Sequence, residues 1–139
     1  MNFKRFIAAV IAVFITFMAL DSIIHNIILM NEYTSLQNLW RPDMQSLMWM
    51  MPIITFTLSV LVTLLFIRGY QDNGVREGVS FGILVGLLTN GLGAFSQYWM
   101  YPLPLSLALK WFAFGLMEFI IAGIVLSLVY RNNEEVDLE

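Results

Sequence analysis

The sequence has no cysteine, a single histidine and little charge. Without cysteine, the 139-residue chain can form neither disulfides nor thiolate metal sites, and it has no cysteine nucleophile. Charged residues make up 12% of the chain, which is about half of their usual share in soluble domains. No basic cluster offers the surface that nucleic-acid binding requires, so we expect no nucleic-acid partner.

Apolar residues take the place of the missing charge. They make up 59% of the chain, and the mean hydropathy is +0.76. A soluble domain of this length buries only about two thirds of the surface of its unfolded chain, which is too little to hide so much apolar area. The composition therefore excludes a soluble globular enzyme, a disordered chain and a disulfide scaffold. It predicts a polytopic membrane protein whose main surroundings are the lipid bilayer.

Four apolar runs are long enough to cross a bilayer as helices. A hydrocarbon core of about 30 Å needs about 20 helical residues. The runs are continuous, whereas the strands of a membrane β-barrel alternate between apolar and polar residues. We predict an all-α domain over residues 1–132, folded as an antiparallel four-helix membrane bundle, and an acidic cytoplasmic tail at 133–139. The predicted spans are residues 6–30, 44–67, 78–100 and 105–130.

Positively charged side chains predict how the helices are oriented. Cytoplasmic loops of membrane proteins carry an excess of lysine and arginine. With four spans, the side opposite the termini has only Arg41 in its loops, and Lys110 lies just inside the fourth span. We therefore expect both termini in the cytoplasm, the protein in the cell (inner) membrane, and the tryptophans near the outer face. The five basic residues on the cytoplasmic side are Lys4, Arg5, Arg68, Arg76 and Arg131.

A stripe of glycines marks one face of the third predicted span. Gly78, Gly82 and Gly86 recur every four residues, which places them on the same side of a helix. Such repeated small residues let two membrane helices approach closely. The pattern does not say whether the partner helix belongs to the same chain or to a second copy, so intrachain packing and a homodimer both remain open.

Several polar side chains lie deep in the predicted spans, where a charge costs about 2.5 to 3.5 kcal/mol. Asp21 and His25 are four residues apart on one face of the first span. Glu118 lies near the middle of the fourth span. Because three spans send polar groups toward the same outer-half region, we predict a ligand- or ion-binding pocket there. Its predicted members are Asp21, His25, Asn90, Gln97 and Glu118, with Lys110 as a polar partner.

This polar region has two main interpretations. It can be an internal network that holds the helices together, in which Lys110 pairs with Asp21 while Asn90 or Gln97 bonds Glu118. Lys110 can instead extend to the outer interface. Alternatively, the region binds a proton, a cation or a small ligand, as intramembrane acids do in many transporters. We predict the second, with transport as its extension.

Two further functions remain open. Asp21, His25 and Glu118 could be ligands of a metal ion or part of an intramembrane enzyme. The single histidine and the absence of a visible nucleophile–base arrangement argue against catalysis, and the sequence identifies no cofactor. The chain could also be a structural or assembly subunit of a larger membrane complex.

Short motifs follow one another in a recognisable order. They are Trp40-Arg41-Pro42, Glu77-Gly78, Phe81-Gly82, Tyr101-Pro102-Leu103-Pro104 and the mid-span Glu118. In this order the chain resembles a group of small four-span bacterial inner-membrane proteins without a known activity. The resemblance implies a four-helix inner-membrane fold and provides no catalytic residues. In size and buried acid the chain is also similar to small multidrug-resistance transporters, which are shorter and carry a first-span glutamate where this chain has Asp21. A transport role would favour a dimer, because so small a chain has little room for two independent halves.

Overall fold

Four long helices form the framework of the protein. The computed structural model describes residues 2–130, and within this range the chain contains helices and no β-strand. This confirms the predicted all-α class for the described residues. Four of the helices are long and apolar enough to cross a membrane, as a multi-pass membrane protein requires. Arg131 and the predicted acidic tail at 133–139 lie outside the described residues. The helices are Phe3–Ile28 (span one), Met50–Gly69 (span two), Val75–Met100 (span three) and Leu105–Val129 (span four).

Span two begins later than the predicted residue 44. Met44–Leu47 forms a 3-10 turn, and the α-helix starts at Met50. This start places Pro52 in the first helical turn. Backbone N–H groups in the first turn of a helix have no partner within the helix. A proline at this position therefore removes no helical hydrogen bond.

The segment between spans one and two folds back on the molecule. It contains the short helix Met30–Ser35 and the 3-10 turn Gln37–Leu39. Tyr33, Leu36 and Trp40 from this segment pack against a buried apolar cluster. We call residues 29–49 the connector. The connector lies at the same end of the molecule as the short link between spans three and four, and we call this the tryptophan-rich end. The buried cluster consists of Ile24, Leu29, Leu103 and Leu107.

Spans three and four form the closest helix pair. A Cβ atom added to Gly78 would overlap the carbonyl of Gly123, and one added to Gly82 would overlap the carbonyl of Phe119. The residue numbers rise along one helix as they fall along the other, so the two helices run antiparallel. The glycine stripe therefore has a partner within the chain. This packing does not require a second copy of the chain. The homodimer remains a prediction.

Span one lies between span two and span four, and it contacts both. A large apolar cluster fills the space between the spans toward the end that holds the 70–74 loop, which we call the arginine-rich end. Within this cluster the rings of Phe17 and Phe119 meet with centroids 5.2 Å apart. The core of this half of the molecule is therefore mostly apolar, with only the small hydroxyl side chains of Ser59, Thr63 and Ser127 buried among its residues. The buried members are Ala9, Val13, Phe17, Val62, Phe66, Val85, Phe119, Ala122, Leu126 and Tyr130.

Two of the spans contain a turn of π-helix. In span one the π-helical turn is Ile24–Ile28, where the N–H of Leu29 bonds to the carbonyl of Ile24 at 2.8 Å. In span three it is Leu87–Gly91. A π-helical turn interrupts the regular bonding of an α-helix and is frequent at functional sites. Both turns border the cavity described next.

Candidate functional site

A cavity of about 450 Å³ lies between spans one, three and four in the half nearer the tryptophan-rich end. The structure brings all five predicted pocket residues to its wall. Ile24 and His25 come from one π-helical turn, and Thr89 and Asn90 come from the other. The predicted members on the wall are Asp21, His25, Asn90, Gln97 and Glu118.

Two carboxyl groups meet at the base of the cavity. Asp21 of span one and Glu118 of span four line the same wall and lie close enough for each carboxyl group to influence the other. Glu118 is only 8% exposed, and its Oε1 atom is enclosed without a hydrogen-bond partner among residues 2–130. Two neighbouring carboxylates repel each other unless one of them holds a proton. The pair therefore needs either a shared proton or a cation to balance its charge.

Asn90 lies on a glycine of span four. A Cβ atom at Gly115 would overlap the side-chain amide of Asn90, so the absence of a side chain there leaves room for this amide. The expected bond from Asn90 or Gln97 to Glu118 is not among the hydrogen bonds of the described residues. The two amides line the cavity without bonding the Glu118 carboxyl group, which lies beside Asp21.

His25 connects the carboxyl pair to the connector. Its Nε2 atom lies 3.7 Å from Asp21 Oδ1, and its Nδ1 atom lies 2.5 Å from the hydroxyl oxygen of Tyr33. The same hydroxyl accepts the indole N–H of Trp111 at 2.8 Å. Because the indole N–H donates to its oxygen, the Tyr33 hydroxyl still has its own proton available to donate to His25 Nδ1. This arrangement fits the neutral tautomer of His25 that carries its proton on Nε2, facing Asp21.

Tyr33 is a central site residue that the sequence analysis missed. Its carbonyl accepts the indole N–H of Trp40 at 3.0 Å, and its ring stacks on His25 with centroids 5.7 Å apart. Burial raises the pKa of Tyr33 to about 12, so its hydroxyl keeps its proton at neutral pH. Tyr33 follows span one, in a segment where aromatic residues are common and carry no special signal. Helical spacing from His25 could not reveal the contact, because the π-helical turn and the connector helix intervene.

Lys110, the predicted polar partner of the pocket, lies elsewhere in the structure. It does not line the cavity, and its ammonium group contacts the Glu32 carboxylate instead of Asp21. The hydrogen bond from Lys110 lowers the pKa of Glu32. The sequence analysis missed this partner because Glu32 reaches span four only when the connector folds back. The pair fastens the connector beside the cavity.

The two ends of the cavity have different surroundings. His25 at its upper wall has a side chain that is 41% exposed, whereas the apolar cluster with Phe17 and Phe119 closes the base. Asp21 lies one helical turn beyond Phe17, and Glu118 directly precedes Phe119. The two acids therefore lie next to the apolar cluster, and His25 lies farther toward the tryptophan-rich end.

The residues proposed for metal binding do not form a metal-binding group. Within residues 2–130, no three histidine, aspartate or glutamate side chains are arranged to hold a metal ion. Asp21, His25 and Glu118 all line the cavity, but the histidine ring is turned between Asp21 and Tyr33. The metal alternative therefore lacks its ligand set in this part of the chain.

Comparisons with known proteins provide no relative from which a function could be carried over. No protein-family model, curated protein or solved structure matches the chain.

Proposed function

We propose that the protein binds a small cation, in exchange for a proton, between Asp21 and Glu118 in the cavity. The observation that supports this proposal best is the enclosed Oε1 atom of Glu118, which has no partner beside a second carboxyl group. No lysine or arginine of the described residues lines the cavity to balance these acids. Unpaired buried charge is costly, so a proton or a cation is the ligand that this wall requires.

The other wall residues favour a small organic ligand over a bare ion. A volume of about 450 Å³ lies within the usual range of small-molecule sites. Trp111 and Phe114 supply aromatic wall, and aromatic faces attract cations. The amides of Asn90 and Gln97 can accept hydrogen bonds from an ammonium group. An organic ammonium ion fits this wall because its charged group can meet the carboxyl and amide groups while its apolar part meets the aromatic side chains.

The location of the protein in the cell is part of the same proposal. Lys4, Arg5, Arg68 and Arg76 favour an inner-membrane protein with both termini in the cytoplasm. The tryptophan-rich end then faces outward, and the cavity takes its ligand from that side. Transport is an extension of the proposal. It requires a second conformation in which the apolar cluster opens, and a homodimer would offer a moving interface for this change.

The remaining alternative is a structural or assembly role. The Lys110–Glu32 pair is an interaction that stabilises the fold, but it lies outside the cavity. A purely structural polar network would have paired the oxygens of Glu118. An assembly subunit predicts a second protein that co-purifies in fixed ratio.

Carbodiimide labelling tests the proposal without knowledge of the natural ligand. Dicyclohexylcarbodiimide is apolar and modifies carboxyl groups that carry a proton. We expect one adduct per chain, mapped by peptide mass spectrometry to Asp21 or Glu118. Benzylammonium chloride should protect the pair at least several-fold by replacing the shared proton, whereas uncharged benzyl alcohol should not.

Variants separate the carboxyl pair from other acids. Glu118→Gln should abolish protection by benzylammonium, because one carboxyl group of the pair is gone. Glu32→Gln is the matched control, since Glu32 faces Lys110 outside the cavity. Equal labelling of the wild type in the presence and absence of benzylammonium would contradict cation binding at this pair.

A further inference from the structure

A second concave site lies at the opposite end of the molecule. It is a groove of about 600 Å³ between the end of span two and the beginning of span three. Its wall combines charged groups with aromatic and aliphatic side chains. The wall residues that supply these groups are Phe66, Arg76, Glu77, Ser80, Phe81 and Leu84.

The wall from span three changes from polar to apolar along the helix. Arg76, Ser80 and Leu84 are spaced four residues apart, so they follow one another on the same helix face. Arg76 lies in the first turn, at the level where the loop begins. Leu84 lies two turns deeper in the span and is 68% exposed. The groove is therefore charged beside the 70–74 loop and apolar deeper along span three. These two parts match the headgroup and the acyl chains of a lipid.

The two charged residues differ in what they contact. Both oxygens of the Glu77 carboxylate are fixed by the loop, with Gln71 N–H donating at 2.7 Å and Asn73 N–H at 2.9 Å. Arg76 makes no ion pair or hydrogen bond with another side chain of residues 2–130. A guanidinium group binds phosphate oxygens in a bidentate manner. The guanidinium group of Arg76 can therefore bind an anion, and the carboxylate of Glu77 beside it can bind a cation.

We propose that this groove binds a phospholipid whose headgroup carries both a phosphate and a primary ammonium. Arg76 binds the phosphate, and Ser80, one turn deeper, can donate a further hydrogen bond to it. The ammonium donates to the second lone pairs of the Glu77 oxygens, which already accept the loop N–H groups. One acyl chain follows Phe81 and Leu84 into the bilayer. This site is independent of the cavity near Glu118.

The groove favours a zwitterionic lipid over other phosphate ligands. A free inorganic phosphate would meet the negative charge of Glu77 and leave the apolar wall uncovered. A phosphatidylglycerol headgroup has no positive charge for Glu77. A phosphatidylcholine headgroup has one, but its methylated nitrogen donates no hydrogen bond. Phosphatidylethanolamine is the common lipid that satisfies both side chains.

Native mass spectrometry of the full chain in detergent tests this site. The probe is an equimolar mixture of phosphatidylethanolamine, phosphatidylglycerol and phosphatidylcholine with identical acyl chains. We expect the first phosphatidylethanolamine adduct to exceed each of the other two at least threefold. Arg76→Gln should reduce it to the level of the others. The matched control is Arg68→Gln, because Arg68 lies at the same end in the last turn of span two but does not line the groove.

Two results would overturn the inference. One is equal binding of the three lipids by the wild type, which is the behaviour of an unselective boundary contact. The other is an equal loss in the Arg76→Gln and Arg68→Gln proteins, which would assign the effect to net charge. Glu77→Gln keeps one carboxamide oxygen for the loop and removes the charge. It should retain phosphate binding and lose the preference for ethanolamine over choline, and an unchanged preference would contradict the role of Glu77.

Discussion

At the scale of single residues, the acids of the connector half are paired in different ways. Glu32 meets Lys110, and Asp43 meets Arg41 at 2.6 Å on the exposed surface. Asp21 and Glu118 lie beside each other on the cavity wall. Two neighbouring acids, with no lysine or arginine on the wall around them, offer a place for a positive charge. This difference in pairing is why the proposed function rests on Asp21 and Glu118.

Sequence reasoning could identify the cavity residues but not their partners. Asp21, His25, Asn90, Gln97 and Glu118 are costly in lipid, so their presence in apolar runs was a strong signal. Tyr33 and Glu32 lie in a segment where polar and aromatic residues are ordinary, so nothing distinguished them. Their roles depend on how the connector folds back, and helical periodicity contains no information about that path.

Tyr33 provides a prediction on pH dependence. Burial raises its pKa from 10.0 to about 12, so the folded protein holds the phenolic proton more tightly than the unfolded chain does. The free energy of unfolding should therefore fall as the pH rises from about 10 to about 12. Tyr33→Phe should lose this part of the pH dependence. The measurement is thermal unfolding of both proteins across this pH range.

Tyr98→Phe serves as the control for the alkaline series. Tyr98 is an exposed residue near the end of span three. Its substitution should leave the alkaline loss of stability as in the wild type. If Tyr33→Phe and Tyr98→Phe show the same pH profile, the hydroxyl of Tyr33 is not held as described.

At the scale of helices, local irregularities place the site. The π-helical turns Ile24–Ile28 and Leu87–Gly91 both contribute residues to the cavity wall. A π-helical turn shifts the register of the side chains that follow it. Sequence periodicity assumes a regular helix, so neither turn could be predicted. The predicted span lengths were less sensitive to these turns, because hydrophobic length depends on composition.

The glycine stripe provides a prediction at the same scale. Gly82→Ala should lower the free energy of unfolding by about 1 to 3 kcal/mol, because its methyl group would overlap the carbonyl of Phe119. Gly93→Ala in the same span is the matched control, since nothing lies within 4 Å of its added Cβ. Gly93→Ala should leave stability unchanged or raise it by about 0.5 to 1 kcal/mol through helix propensity. Reversible unfolding in mixed detergent, followed by tryptophan fluorescence, measures both.

If the Gly82→Ala and Gly93→Ala proteins have the same free energy of unfolding, the described packing of spans three and four is contradicted. The oligomeric state should be recorded for the same samples. If Gly82→Ala changes only the dimer content and leaves the unfolding of the monomer unaffected, the stripe faces a second copy.

At the scale of the whole molecule, the two halves differ in chemistry. The half toward the arginine-rich end is packed with apolar side chains, and the half toward the tryptophan-rich end contains the polar cavity and the folded connector. The four helices could be predicted because lipid imposes their length and composition. The asymmetry between the halves could not, because it depends on which helix faces meet. This asymmetry is what the proposed binding of a cation from one side requires.

The measurement that tests this account most directly is infrared spectroscopy of the purified protein at neutral pH. A carboxyl group that holds a proton has a C=O stretching band distinct from the bands of a carboxylate. We predict that the wild type shows this band, that Asp21→Asn and Glu118→Gln remove or shift it, and that benzylammonium chloride diminishes it in the wild type alone. A wild-type spectrum in which benzylammonium leaves the band unchanged, or in which neither variant alters it, would contradict a proton–cation exchange site at the Asp21–Glu118 pair.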